Sequence, residues 1–467
     1  MAKDRPTHGA VIGGGLAGML AARALRGHLD RVTVIDRDEL LPGPAPRKGI
    51  PQAHHAHLLW SSGAHQIEAL LPGITSLLLA AGARCIGLHQ DTVFMSPYGW
   101  QRRFPGNQFC LTVSRPLLDW TVRDQVLADR RITVLPRTEL CELFGDDTRL
   151  TGLRVRDLAT GATAGLDADL VVDASGRGSR LRQWLRPLGV AEPDEEVVDS
   201  GLAYSTRVYR APGRAAASFP MVNVSCNHRT SKLGRGGLIL PVEDGQWIVT
   251  LSGTRGDEPP TDEAGFTTFA EGLRHPVIGQ ILSTAEPVTE TRGSRSSANR
   301  RLHYECIERW PGNLVVLGDA FAAFNPVYGH GMSSAALSAA ALDRTLRDHL
   351  GTPGLARAAM RGIAEVIDAP WILAAARDVF YPGCRVKTKD PRITDELSAR
   401  QRFSELVGTA ALTDPFVSAA LIEVSALAAP AAILKSPAVL DALERADGRA
   451  PLDGPPVSAD EWALLLR

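Results

Sequence analysis

The sequence predicts an α/β protein: a Rossmann-like nucleotide-binding domain with an inserted β-sheet domain and a C-terminal helical region. Three observations lead there. A glycine cluster lies between an apolar strand and an Ala/Leu-rich helix over 9–36. Strand-like patterning runs over 92–113 and again over 200–300, and helical periodicity resumes near Ser333 and continues to the end.

Taken in order, Ala10-Val11-Ile12 is a short buried strand, the helix that follows runs to about Arg26, and Val32-Thr33-Val34-Ile35 is a second buried strand. The Pro- and His-rich stretch 42–57 reads as loop. Leu238-Ile239-Leu240-Pro241 and Trp247-Ile248-Val249-Thr250-Leu251 flank Glu243-Asp244-Gly245, the pattern of a hairpin. The expected organisation is a nucleotide-binding domain over 1–85, 114–190 and 291–350. The inserted substrate domain takes 86–113 and 191–290, and helices fill 351–467.

Composition narrows the class of function. The 467 residues are 44% hydrophobic and 22% charged, with net charge −1, so no global positive field recruits nucleic acid or an anionic membrane. The six cysteines form no Cys-x-x-Cys pair, which leaves no zinc site or disulfide framework and fits a reducing cytoplasm. The amino terminus carries no signal-peptide apolar region. In the carboxyl third the apolar stretches are cut by Glu405, Asp414, Glu423 and Lys435, and Val424 to Leu434 is far short of the roughly 20 residues of a spanning helix. No transmembrane anchor is expected.

Three motifs carry chemistry. In Gly13-Gly14-Gly15-Leu16-Ala17-Gly18, Gly13 permits a tight turn, Gly15 lets the backbone approach a pyrophosphate, and Gly18 lets the helix pack on the strand. The helix amino terminus at Leu16 and Ala17 offers free N–H groups to phosphates. Asp36, followed by Arg37, ends the second strand, where a carboxylate accepts a ribose hydroxyl. The second motif, Leu170-Val171-Val172-Asp173-Ala174-Ser175-Gly176, is a strand ending in an acid and a glycine turn. Alone it reads equally as a β-turn with a solvated Asp173.

The third is Leu314-Val315-Val316-Leu317-Gly318-Asp319 followed by Asn325-Pro326-Val327-Tyr328-Gly329-His330-Gly331-Met332. Asp319 is placed to bind the ribityl hydroxyls of a flavin, Pro326 shapes a loop, and Gly329 and Gly331 bring backbone close to a flat ligand. A helix is expected from about Met332. Its amino terminus would stabilise the negative charge that collects on a reduced flavin ring.

This ordered set resembles the fingerprints of FAD-dependent monooxygenases related to para-hydroxybenzoate hydroxylase and squalene epoxidase, which implies a glutathione-reductase-type FAD domain. Further blocks are similar to the bacterial polyene epoxidases of polyether ionophore biosynthesis, the lasalocid and monensin type. They are Arg47-Lys48-Gly49-Ile50-Pro51-Gln52-Ala53-His54-His55-Ala56-His57-Leu58-Leu59-Trp60, Gly99-Trp100-Gln101-Arg102-Arg103-Phe104-Pro105, Ser114-Arg115-Pro116-Leu117-Leu118-Asp119, Ser294-Arg295-Ser296 and Asn299-Arg300-Arg301-Leu302. The similarity spans about residues 8–400. It implies that Arg47 and Lys48 lie in a loop covering the cofactor and Arg115 near its phosphates or ribityl chain. It implies epoxidation of a linear polyene polyketide, free or carrier-bound, by a C4a-hydroperoxyflavin in antibiotic biosynthesis. Reducing equivalents would come from NAD(P)H, directly or through a flavin reductase.

No Ser-His-Asp or paired-carboxylate arrangement stands out, so no catalytic acid or base is assigned. His54, His55 and His57 lack a carboxylate partner at metal-ligand spacing, so no metal is expected, while a covalent flavin link stays open. A halogenase on the same fold would carry Trp-x-Trp-x-Ile-Pro, whereas this chain reads Tyr98-Gly99-Trp100-Gln101-Arg102. A flavin-dependent alkene reductase has no comparable exclusion, and a prenyl-lipid carrier would be expected to have lost the glycine motifs.

Overall fold

In the computed structural model, which describes residues 6–229, 234–445 and 450–466, strand β1 (His8–Ile12) is the centre of a five-stranded parallel sheet. The strand order is Leu314–Val316, Leu170–Asp173, β1, Arg31–Ile35, Ile132–Leu135. All five residues of β1 are buried, as an apolar run in a parallel sheet must be. His8 is kept inside by bonds from its ring to the Asp167 carbonyl and the Thr33 hydroxyl.

Helix α1 (Leu16–Arg26) follows β1 across the glycine turn. Gly13 sits at φ +98°, and a Cβ there would come 2.6 Å from the Ala174 carbonyl oxygen. At Gly18 a Cβ would come 1.7 Å from the Gly13 carbonyl oxygen, so only glycine lets the first helical turn lie on the strand end. Register then places three chain segments at one level. Ile12 is paired with Asp173, and Asp173 with Val316, so the three motif-bearing turns leave the same edge of the sheet.

The inserted domain is an eight-stranded, largely antiparallel sheet whose long strands include Ala203–Arg210, Arg235–Pro241 and Gln246–Gly253. The expected hairpin forms between the last two, with Asp244 and Gly245 at φ 58° and 64°, the left-handed conformation that an Asp-Gly pair favours. The helices Glu263–Glu271 and Val277–Leu282 close a second core against this sheet around Trp247 and Phe266.

The 92–113 stretch divides, contrary to its reading as one block. Thr92–Ser96 and Gly99–Trp100 join the large sheet, while Phe109–Thr112 pairs with Leu58–Trp60 and Arg84–Gly87 in a separate three-stranded sheet. Pro105 and Gly106 lie between the two, and Gly106 packs so tightly on His89 that a Cβ would come 2.2 Å from its ring.

The carboxyl third is helical, beginning with His330–His349 and Leu355–Asp378; the first starts two residues before the expected Met332. Among the described residues no helix is long and apolar enough to cross a membrane. The Gly18 contact yields a direct expectation. Gly18→Val should cost about 3–5 kcal/mol of stability, because the clash is with rigid backbone. Thermal unfolding of the purified variant checks it, and an unchanged midpoint would refute the packing role.

Candidate cofactor and substrate site

The three turns at the sheet edge open into one cavity of about 1310 Å³, larger than the roughly 300–1,000 Å³ of a single small-molecule site. Gly13, Gly15, Leu16 and Ala17 line one end together with Asp36, Arg37, Arg47, Lys48 and Arg115. Gly176, Asp319, Pro326, Gly329, Gly331 and Met332 also line it.

Two helix amino termini face this space. A Cβ on Gly15, the residue before α1, would meet no atom within 4 Å, and the same is true of Gly331 in the first turn of His330–His349. Glycine is therefore retained where the protein itself leaves room. Gly329 is different. It adopts φ +68° to cap the Pro326–Tyr328 turn, and a Cβ would come 3.0 Å from the Trp60 indole nitrogen.

Polar groups at the walls lack partners. Arg47 donates to the Gly14 carbonyl at 3.0 Å and lies 3.6 Å from Asp36, yet its buried Nε and Nη1 have no hydrogen-bond acceptor among the described residues. Asp319 has no hydrogen bond among the described residues, and burial raises its pKa against the pull of Arg177, Arg115 and Arg300. Such groups are costly unless a ligand meets them. Asp36 is already engaged, accepting the N–H groups of Gly14 (2.5 Å) and Asp38 (2.7 Å), which leaves it lone pairs for a ligand at the wall. Arg115 uses Nε on Asp119 at 2.7 Å.

Three expected cofactor residues stand off the cavity wall. Asp173 is fully buried and holds its own turn, accepting bonds from the Ser175 N–H and the Ser175 and Ser179 hydroxyls. It holds the turn whose next residues, Ala174, Ser175 and Gly176, line the cavity. Gly18 serves helix packing, and Gly318, at φ +66°, would clash with the Ala17 side chain at 2.9 Å if it carried a Cβ. Trp100 itself is buried in the second core, edge-on to His275, while its neighbours Tyr98 and Gln101 line the cavity.

Two features escaped the sequence reading. The Asp378 carboxylate, fully buried at the end of Leu355–Asp378, accepts from Tyr328 Oη (2.6 Å), Asn299 Nδ2 (2.8 Å), Asn325 Nδ2 (2.8 Å) and Ser200 Oγ (3.1 Å). It thereby ties the Pro326 turn and the segments around Ser200 and Asn299 to the helical region, and burial raises its pKa to about 6. The C-terminal helices also wall the cavity with Phe403, Val407, Leu421 and Leu434. The histidines of the 54–57 block go to separate partners: His54 to Arg292, His55 to the Thr206 hydroxyl, and His57 to the His55 carbonyl.

Comparison with known proteins gives the family and the fold. Residues 10–183 match the family described as FAD dependent oxidoreductase. The chain is 32% identical over 422 residues to Protein Rv3254 of Mycobacterium tuberculosis, covering 88% of this chain and 87% of that one. It is a member of the FAD-dependent oxidoreductases. A kynurenine 3-monooxygenase of Salinispora tropica is 25% identical over 356 residues, covering 73% of this chain and 72% of its own length. The crystal structure of CmlS, a flavin-dependent halogenase, shares the fold at TM-score 0.59 and 19% identity, covering 88% of this chain and 74% of that one.

FAD is the cofactor of this oxidoreductase, and the unpartnered groups fit it. Phosphates suit Arg47 and the open N–H groups at Gly15, and hydroxyls suit Asp319. Gly15→Val should fold normally yet lose FAD, because its side chain would enter the space left at the helix terminus; a full flavin spectrum in the purified variant would refute the placement. Asp319→Ala should weaken FAD binding by about 1–3 kcal/mol, measured by flavin fluorescence titration.

The buried histidines set an acid limit on stability. Burial lowers His55, His228 and His330 to about 4 and His57 to about 3, from 6.5. The unfolded chain therefore binds more protons than the folded one between about pH 4 and 6.5, and stability falls as pH drops through that window. Asp378, raised from 3.8 to about 6, opposes this by one proton. The melting temperature should accordingly be lower at about pH 5 than at about pH 7.5, and His330→Gln should flatten the difference.

Proposed function

We propose that this FAD-dependent oxidoreductase is a monooxygenase that epoxidises alkenes of a linear polyene polyketide in polyether biosynthesis. The observation that carries the reading is the continuity of the cavity. Beyond the turn Pro326–Tyr328 it extends between the inserted sheet and the C-terminal helices, with Phe94, Met221, Leu238 and Ile372 among its walls. An elongated apolar space next to the flavin suits a long flexible hydrocarbon.

Bound FAD supplies the activation of molecular oxygen; electrons come from NAD(P)H, directly or through a flavin reductase. The chain's own residues bind, orient and exclude water. The amino terminus of His330–His349 presents the positive end of its dipole at Gly331, which favours negative charge on a reduced ring. His330 donates from Nε2 to the Ser425 carbonyl at 3.0 Å and stays neutral at physiological pH, so it brings no competing charge. The apolar walls hold the alkene dry, the condition for oxygen transfer over hydrolysis. An electron-rich alkene needs no proton removed before it takes oxygen, so the reading requires no side-chain base.

Incubation with a trisubstituted polyene, reductant and isotopically labelled oxygen should add one labelled atom per alkene consumed, read by mass spectrometry. Labelled water should contribute nothing to the epoxide. Saturation without oxygen would establish an alkene reductase instead, and chlorinated product with added halide a halogenase. Binding of the polyene without turnover would point to a carrier.

A further inference from the structure

Beyond the flavin turn, one guanidinium faces the cavity without an acceptor. Arg377, in the last turn of Leu355–Asp378, lines the cavity, and its Cζ lies 5.8 Å from the centre of the Tyr328 ring. Among the described residues it has neither a hydrogen bond nor an ion pair.

The charged groups around it are otherwise engaged. Arg274 donates to the carbonyls of Ser96 (2.9 Å), Ser225 (3.4 Å) and Pro97 (3.4 Å). Arg229 is ion-paired with Glu405 and lies over the Tyr98 ring. The adjoining Asp378 carboxylate is turned to its four donors.

Beside Arg377 stands His228, which also lines the cavity, packs on Phe380 and Tyr381, and has no hydrogen bond among the described residues. Burial and the charges of Arg377, Arg229 and Arg274 hold its pKa near 4, so its ring is a neutral N–H donor. Arg400, on the neighbouring wall, holds only two long bonds, 3.4 and 3.3 Å, to the Asp395 and Ala376 carbonyls.

A guanidinium fork that lines a largely apolar cavity and has no carboxylate to pair with among the described residues is suited to a ligand that brings the counter-charge. The cofactor phosphates belong to the Gly15 and Arg47 end, and the groups that feel Arg377 are His228, Tyr328, His330 and Tyr381, none of them at that end. We propose that Arg377, with His228 beside it, is a carboxylate-binding subsite that fixes the acid head of an elongated apolar substrate. The substrate then enters as a free carboxylic acid, and Arg377 sets which alkene reaches the flavin. This rests on the reading of the cavity as a substrate site.

Calorimetric titration of the oxidised holoenzyme, without reductant, tests it with farnesylacetic acid and its methyl ester. The acid should bind about tenfold or more tightly than the ester. Arg377→Met should abolish that preference while leaving ester affinity and the flavin spectrum unchanged, and Arg377→Lys should keep part of it. Equal affinities in the unaltered protein, no binding of either probe, or an undiminished preference in Arg377→Met would overturn the subsite. So would an Arg377-dependent affinity for the phosphopantetheine thioester but not for the acid. Because no turnover is involved, a confirmed acid preference stands even if the labelled-oxygen experiment yields no epoxide.

Discussion

Everything in the site depends on the register of three parallel strands. Ile12, Asp173 and Val316 lie side by side, so three turns separated by more than a hundred residues each leave the sheet at one level. Ligands of open parallel sheets gather beyond the carboxyl ends of the strands, and here the edge offers them two helix amino termini. The glycines divide the labour. Gly13 and Gly18 let backbone meet backbone, whereas Gly15 and Gly331 leave space that the protein does not fill.

In and around the cavity the polar groups follow one rule: a group either finds a protein partner or is left for a ligand. Asp173 and Asp378 are saturated by internal donors and serve the architecture. Arg47 retains two nitrogens without a hydrogen bond, and Asp319 and Arg377 have none among the described residues. They differ in sign and place, which fits a cofactor with phosphates at one end, hydroxyls in the middle, and a second ligand beyond. The cavity histidines His55, His57, His228 and His330 are held neutral by burial and add no charge of their own.

Local chemistry was legible in the sequence. The strand–turn–helix around Gly15, the Asp244-Gly245 hairpin and the Pro326–Met332 loop are each specified within a few residues, by φ requirements that glycine meets. The bonds of Asp173 within its own turn were not legible, because an acid at a strand end looks the same whether it serves a ligand or its own turn. Asp378 and the C-terminal wall were invisible for a different reason: Asp378 meets Ser200 across 178 residues of chain, and no periodicity encodes such a contact.

The central claim is that one cavity holds FAD against the glycine edge and leaves its apolar extension for a second ligand. A crystal structure of the FAD-loaded protein tests it most directly. The account predicts diphosphate density at Gly15 and Arg47, ribityl density at Asp319, the ring edge at Gly331, and open space from the ring to Arg377. A flavin ring filling the space beside Arg377, or a diphosphate bound away from Gly15, would contradict it.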